Sequence, residues 1–179
     1  MEAYFKVCIV GDSKVGKTTL LHQYLSKRYI SNAERTIGSN FFVKRLKLSD
    51  IKEKITLQVW DLAGQDHFKW VRYAFYKGAR GIVYVYDLKR PETFKHVYKW
   101  KEEIESVLGI IPNILVGNKS DLLNPKSSSI DIDMVNRLKN ELSAIAYFET
   151  SAKLGTNVDP VFIKLSYEMY KQFGKSHKF

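Results

Sequence analysis

The sequence predicts one α/β domain with a mostly parallel sheet, and three observations carry that expectation. Apolar, β-branched runs alternate with stretches of helical spacing along the whole chain. Two of those runs, 81–88 and Asn113–Asn118, are too apolar for a solvated face and read as parallel strands buried on both sides. Only one adjacent pair of runs, 40–48 and 54–61, is joined by a short connection, so one antiparallel hairpin is expected beside the parallel strands.

The elements follow in order. Residues 4–10 form a first strand that ends in a glycine-containing turn. Residues 17–28 show helical spacing, with Leu20, Leu21, Tyr24 and Leu25 on one side. A polar stretch, 29–39, precedes the hairpin, in whose second strand Ile55, Leu57 and Val59 share a face. Helices are expected over 92–107, 131–142 and Val158–Phe173, and a last strand over 146–149. The length of 179 residues suits one domain at about 150 residues per domain. No linker or internal repeat divides it. The expectation is one domain over 1–179 with a short basic tail at 173–179.

Composition excludes several classes. Ten glycines and four prolines rule out collagen-like and low-complexity chains. No apolar run approaches the ~20 residues that cross a bilayer. The start, Met1-Glu2-Ala3-Tyr4-Phe5-Lys6-Val7, lacks a basic region and a small-residue cleavage site, so no signal peptide is expected. The single cysteine, Cys8, excludes an internal disulfide and a CxxC zinc pair, which fits a reducing, cytoplasmic setting. The net charge of +10 admits a soluble basic surface, a membrane or acidic partner, or nucleic acid. The first is favoured, with peripheral membrane contact second. Direct nucleic-acid binding is not expected, because no motif accompanies the charge.

In open α/β sheets, ligands sit at the carboxyl ends of the strands. The chemistry is therefore sought after Val10, Asp61, Asn118 and Glu149. Gly11-Asp12-Ser13-Lys14-Val15-Gly16-Lys17-Thr18 matches GxxxxGK(S/T) between an expected strand and an expected helix. Such a loop turns successive N–H groups inward as an anion nest, and the helix N-terminus adds partial positive charge. Ser13, Lys14, Val15, Gly16, Lys17, Thr18 and Thr19 are the candidate phosphate-side residues. Lys17 reaches the β- and γ-phosphates, the Thr18 hydroxyl is a Mg²⁺ ligand, and a Ser13 side chain crowds the γ-phosphate or is inert. The loop says nucleoside triphosphate, not which one.

Trp60-Asp61-Leu62-Ala63-Gly64-Gln65 closes the hairpin. Asp61 fits the carboxylate that holds Mg²⁺. Gly64 lets its N–H approach a γ-phosphate closely, and Gln65, donor and acceptor at once, suits the orientation of an attacking water. Asn118-Lys119-Ser120-Asp121 selects the base. Guanine presents N1–H and N2–H₂ side by side, and the two oxygens of Asp121 accept both. Adenine would leave that carboxylate facing a lone pair. Lys119 lies along the base plane, Asn118 ties loops together, and Ser151-Ala152-Lys153 brings a backbone N–H to guanine O6.

Together these motifs resemble the Ras-like small GTPase superfamily over roughly residues 4–173. The segments Thr36-Ile37-Gly38, Leu57-Gln58-Val59-Trp60-Asp61, Tyr76-Lys77-Gly78-Ala79 and Gly81-Ile82-Val83-Tyr84-Val85-Tyr86-Asp87 look most like the Rab branch. The resemblance implies a P-loop G domain: a six-stranded, mostly parallel sheet with one antiparallel edge strand and about five helices. It implies a GTP/GDP switch that uses Mg²⁺ held by Thr18, Thr36 and Asp61. Gln65, Lys17, Thr36 and Gly64 are the implied catalytic set, and Tyr29 stacks on guanine. Effector, activating and exchange proteins are expected at switch I (29–40) and switch II (63–76), with the chain a monomer. A nucleotide-locked scaffold without meaningful hydrolysis is the alternative.

Four features depart from or extend that pattern. Leu62 stands where most Rabs carry Thr. The sequence ends Gly174-Lys175-Ser176-His177-Lys178-Phe179 without the cysteine that Rab prenylation uses, and Glu2 excludes Arf-style myristoylation. Arg35 precedes Thr36, where it either turns toward the phosphates as a finger in cis or, as preferred, faces water. Phe41, Trp60 and Phe75 match an aromatic trio that Rab-like proteins present beside the switches, with ordinary core packing as the competing reading.

Overall fold

The computed structural model describes residues 2–29, 36–123 and 130–174. Arg35 and the last five residues of the tail lie outside them. Among the described residues, six strands form one sheet: β1 (Glu2–Val10), β2 (Ser39–Leu46), β3 (Lys54–Leu62), β4 (Gly81–Asp87), β5 (Asn113–Asn118) and β6 (Ala146–Thr150). Their order is β2-β3-β1-β4-β5-β6. Only β2 runs antiparallel, pairing with β3 from Ser39 opposite Leu62 to Leu46 opposite Ile55. All other pairs are parallel. Beyond β1 the order reverses between β3 and β4, which places a crevice outside the carboxyl end of β1.

The helices are α1 (Lys17–Ser26), α2 (Lys69–Tyr76), α3 (Pro91–Lys95), α4 (Val97–Leu108), α5 (Ile132–Glu141) and α6 (Val158–Phe173). Helices α3 and α4 are separated by His96 alone and count as one element, giving five α-helical elements among the described residues. That break corrects the single helix expected over 92–107. The amides of Lys99 and Trp100 both donate to His96 O, and the His96 ring is engaged by Asp12 of the neighbouring loop. Helix α1 stops before residue 28 because Lys27 turns left-handed, with φ 56°. Helix α5 is capped by Asp131, whose carboxylate accepts from the Asp133 amide. Helix α2 lies within switch II, a segment to which the sequence assigns no element.

Two apolar layers cover the sheet. On one face Ile55, Leu57 and Val59 meet Leu20, Leu21, Tyr24, Phe162 and Leu165 of α1 and α6. Tyr24 and Phe162 stack there with ring centroids 4.0 Å apart. On the other face Ile82, Tyr84, Tyr86 and Leu115 meet Tyr76, Trp100 and Ile104. Each such side chain, fully buried, contributes roughly 1.5–3 kcal/mol. No helix among the described residues is long and apolar enough to cross a membrane.

Candidate functional site

The loops after β1, β3, β5 and β6 meet at one edge of the sheet. The loop from Gly11 to Gly16 wraps the start of α1, whose N-cap Gly16 has φ 97°, a conformation suited to glycine. Lys14 is left-handed as well, φ 65°. Lys17 arches back over the loop, its Nζ donating to Gly11 O at 2.7 Å and Asp12 O at 2.9 Å. Burial pushes the Lys17 ammonium down to about 8, against the pull of Asp61 and Asp12. An incoming polyanion would hold the charged form.

Three oxygens converge beside that lysine. Thr18 Oγ1 donates to Asp61 Oδ2 at 2.5 Å and lies 2.9 Å from Thr36 Oγ1, which is 3.3 Å from the same carboxylate oxygen. Asp61 is fully buried, and its Oδ1 has no hydrogen-bond partner among the described residues. A buried carboxylate oxygen without a donor is costly unless a cation or water supplies the missing interaction. Two hydroxyls and a carboxylate are hard oxygen donors of the kind Mg²⁺ takes, so the residues present fit that ion.

Gly64 lies against the phosphate loop. A Cβ there would meet Asp12 C, Gly11 O and Ser13 N at 2.5 Å, so any other residue would force the two loops apart. Gln65 follows, with its Oε1 buried and unpartnered among the described residues. Ser13, Gly64 and Gln65 line one cavity of about 510 Å³ between the loop, α2 and α4. The two switch segments also touch directly: the Ala63 amide donates to Gly38 O at 2.9 Å.

A smaller cavity of about 160 Å³, the candidate base site, is lined by Gly16, Thr19, Tyr29, Asn118, Lys119, Asp121, Leu122, Ala152 and Lys153. Tyr29, 46% exposed, stands at its rim. Asn118 is buried and ties three segments: its Nδ2 donates to Val15 O at 3.0 Å, and its Oδ1 accepts from Thr150 Oγ1 at 3.0 Å and the Ala152 amide at 3.2 Å. Lys119 Nζ donates to Lys14 O and to Asp87 Oδ2, at 2.8 and 2.7 Å. Ser151 Oγ donates to Asp121 Oδ1 at 2.6 Å and fixes that carboxylate. A guanine edge in this cavity would meet its oxygens.

The described nucleotide-site residues proposed from the sequence lie at this edge or line one of its two cavities, whereas Arg35 lies outside the described residues and Phe41, Trp60 and Phe75 form a separate ring ladder across β2, β3 and α2. Several supporting residues were missed. Asp12 accepts from Trp100 Nε1 at 2.9 Å and pairs with His96 Nδ1 at 2.6 Å, which fastens the phosphate loop to α4. Asp87 receives Arg90 as well as Lys119, and Arg90 also donates to Ser13 O at 2.9 Å. The carboxyl of Asp87 is held low by these donors, against its burial. Arg72 and Glu103 form a bidentate pair, both buried, at 2.7 and 2.9 Å. The helical spacing of Trp100, Glu103 and Ile104 placed a carboxylate on a buried face, which was the available signal; its partner lies 31 residues away.

Comparison with known proteins agrees with this geometry. The Ras family model matches residues 6–171. The Ras-related protein RABG3f of Arabidopsis thaliana is 39% identical over 162 residues, 88% of this chain and 78% of that protein. Rab7 of Drosophila melanogaster is 39% identical over 166 residues, covering 90% of this chain and 78% of its own length. Rab7 of Cenchrus ciliaris is 39% identical over 162 residues, with 88% and 78% covered. With a family match across most of the chain and relatives of this identity, the chain belongs to the Ras family of small GTPases.

Proposed function

We propose that the chain is a Mg²⁺-dependent molecular switch that binds GTP, hydrolyses it slowly and recruits effectors in its GTP state. The observation that carries this reading is the cluster of Thr18, Thr36 and Asp61 oxygens around an unpaired carboxylate atom, beside Lys17 and the phosphate loop. Thr18, Thr36 and Asp61 would hold Mg²⁺, which when bound offsets negative charge on the phosphate oxygens.

The other steps belong to the chain's own groups. Inward N–H groups from Ser13 to Thr19 and the Lys17 ammonium bind the phosphates. Gly64 N–H and Thr36 meet the γ-phosphate, and Gln65 orients the water for in-line attack. Asp121 accepts the two guanine donors, and Asn118, Lys119, Ser151, Ala152 and Lys153 frame the base. Loss of the γ-phosphate removes what both switch loops hold, so switch I (29–40) and switch II (63–76) relax. Exchange, activating and effector proteins read these segments, in membrane trafficking or related signalling. The basic surface favours contact with anionic membranes.

The test is direct. Bound nucleotide and phosphate release are measured with GTP and ATP side by side. Tight GTP binding is expected, with release on the order of 10⁻⁴ s⁻¹ without a partner, the intrinsic scale of Ras. ATP should neither bind nor turn over. Tight GTP binding with no release would assign the scaffold reading; equal use of ATP would remove the base selector.

A further inference from the structure

Arg72 is 2% exposed, and the nucleotide chemistry described above does not use it. It sits on α2, and the plane of its guanidinium lies over the Trp100 ring, 4.4 Å from the centroid. Nε and Nη2 clasp the two oxygens of Glu103 on α4. Tyr76 OH completes the carboxylate at 2.5 Å from Glu103 Oε1. The remaining nitrogen, Nη1, reaches out of α2 to two backbone carbonyls, Ala63 O at 3.0 Å and Gln65 O at 2.8 Å. One nitrogen therefore grips the chain on both sides of Gly64.

That grip has a directional consequence. In a trans peptide the C=O and the next N–H point in opposite directions within one plane. Holding Ala63 O toward Arg72 aims the Gly64 N–H away from α2. Gly64 in turn abuts the backbone of Gly11, Asp12 and Ser13, so the peptide plane that Arg72 fixes lies directly beside the phosphate loop. Holding Gln65 O fixes the following plane and with it the Cα–Cβ vector from which the Gln65 side chain departs. The anchor is rigid because Arg72 is planar and its other donors are saturated on a buried carboxylate. Helix α4, which carries Glu103, secures the opposite shoulder, since Trp100 and the N-cap His96 hold Asp12.

We propose that Arg72 is a positioning residue of the hydrolytic site: through its bonds to Ala63 O and Gln65 O, it aims the Gly64 N–H and the Gln65 side chain at the γ-phosphate. The inference rests on the functional reading above and deepens it. The hydrogen bonds of Arg72 go to Glu103 and to two backbone carbonyls, so its effect passes through backbone geometry. Two consequences separate it from a stabilising ion pair. Its loss falls on the triphosphate and not on the diphosphate, because only the former has a γ-phosphate for Gly64 to meet. Its effect on hydrolysis also depends on Gln65 being present.

The experiment uses the full chain with Mg²⁺ in a double-mutant cycle of Arg72→Met and Gln65→Leu. Because Arg72→Met leaves Glu103 buried without its cation, Arg72→Met/Glu103→Gln is made in parallel; it removes the buried charge and keeps an acceptor for Tyr76. Single-turnover phosphate release is expected to slow about tenfold, and affinity for a non-hydrolysable GTP analogue to fall about fivefold, with GDP affinity within about twofold of the parent. In the Gln65→Leu background the Arg72 change is expected to slow release distinctly less than in the parent, because only the Gly64 arm of the grip is left to lose. Equal loss of affinity for analogue and GDP, an unchanged rate, or the same slowing in both backgrounds overturns the assignment. A parental rate in Gln65→Leu alone overturns instead the role given to Gln65.

Discussion

The two walls of the nucleotide site are finished to different degrees. On the base side the chain satisfies itself. Asn118 makes three hydrogen bonds to two other segments, Lys119 bridges the phosphate loop and Asp87, and Asp121 already has a donor in Ser151. On the phosphate side two buried oxygens, Asp61 Oδ1 and Gln65 Oε1, have no partner among the described residues. The difference separates two tasks. Recognition of the base needs a rigid edge whose donors and acceptors are set in advance. A switch needs groups whose interactions are supplied by the ligand, so that their geometry changes when part of the ligand leaves.

The largest effect expected on the rigid wall is a change of base. In Asp121→Asn one acceptor becomes a donor facing the N2–H₂ of guanine. Preference for GTP over xanthosine triphosphate should fall by about 10³-fold or more, because xanthine offers an oxygen where guanine has the amine. A competition titration reads this directly. Unchanged preference for GTP would mean that Asp121, although positioned by Ser151, does not meet the base.

The next effect tests whether that wall stands without its ligand. Asn118→Ala leaves Val15 O, Thr150 Oγ1 and the Ala152 amide without their partner in the interior. The loss is about 3 kcal/mol, a fall in Tm of roughly 10 °C for a chain of this size. It should appear in the nucleotide-free protein as well as in the loaded one. Thr36→Ala on the other wall should leave the nucleotide-free Tm nearly where it was and act only when triphosphate and Mg²⁺ are present. Equal thermal shifts for the two variants would dissolve the contrast.

What the sequence made legible follows the same division. The phosphate loop, Asp61, Gln65 and Asn118-Lys119-Ser120-Asp121 were readable because each motif is contiguous and its chemistry follows from residue types at fixed spacing. The sheet was readable because Gly81–Asp87 and Asn113–Asn118 are uninterrupted apolar runs. The struts were not. Arg72 meets Glu103 across 31 positions and Asp12 meets Trp100 across 88. In the sequence Arg72 and Asp12 look like ordinary charged residues of a solvated face, Glu103 shows only a helical spacing that puts it beside Trp100 and Ile104, and tertiary packing alone gives each its partner. Helix α2 was missed for a related reason: the buried positions of this two-turn helix are Arg72 and Tyr76, so its core face carries no run of aliphatic residues. The break at His96 likewise lacks a glycine or proline to announce it.

The smallest expected effect concerns the surface beside both switches. Phe41 of β2, Trp60 of β3 and Phe75 of α2 form a ladder, with ring centroids 4.9 Å apart for the first pair and 5.2 Å for the second. Phe41 is the outer rung, 48% exposed, and Ile37 and Trp70 nearby on the switches are 81% and 79% exposed. A ring that is half in water has already lost much of its burial energy, and what remains is chiefly its tilted contact with Trp60, about 1 kcal/mol. Phe41→Ala should therefore lower Tm by only about 2–4 °C, while a partner that docks on the ladder loses about 2 kcal/mol of affinity. Trp60 sits between two rings under both switches, so Trp60→Ala should cost several times more stability than Phe41→Ala. Thermal melts of the two variants decide the matter: similar large losses would make Phe41 part of the core, and a small loss confined to Phe41 leaves it as recognition surface.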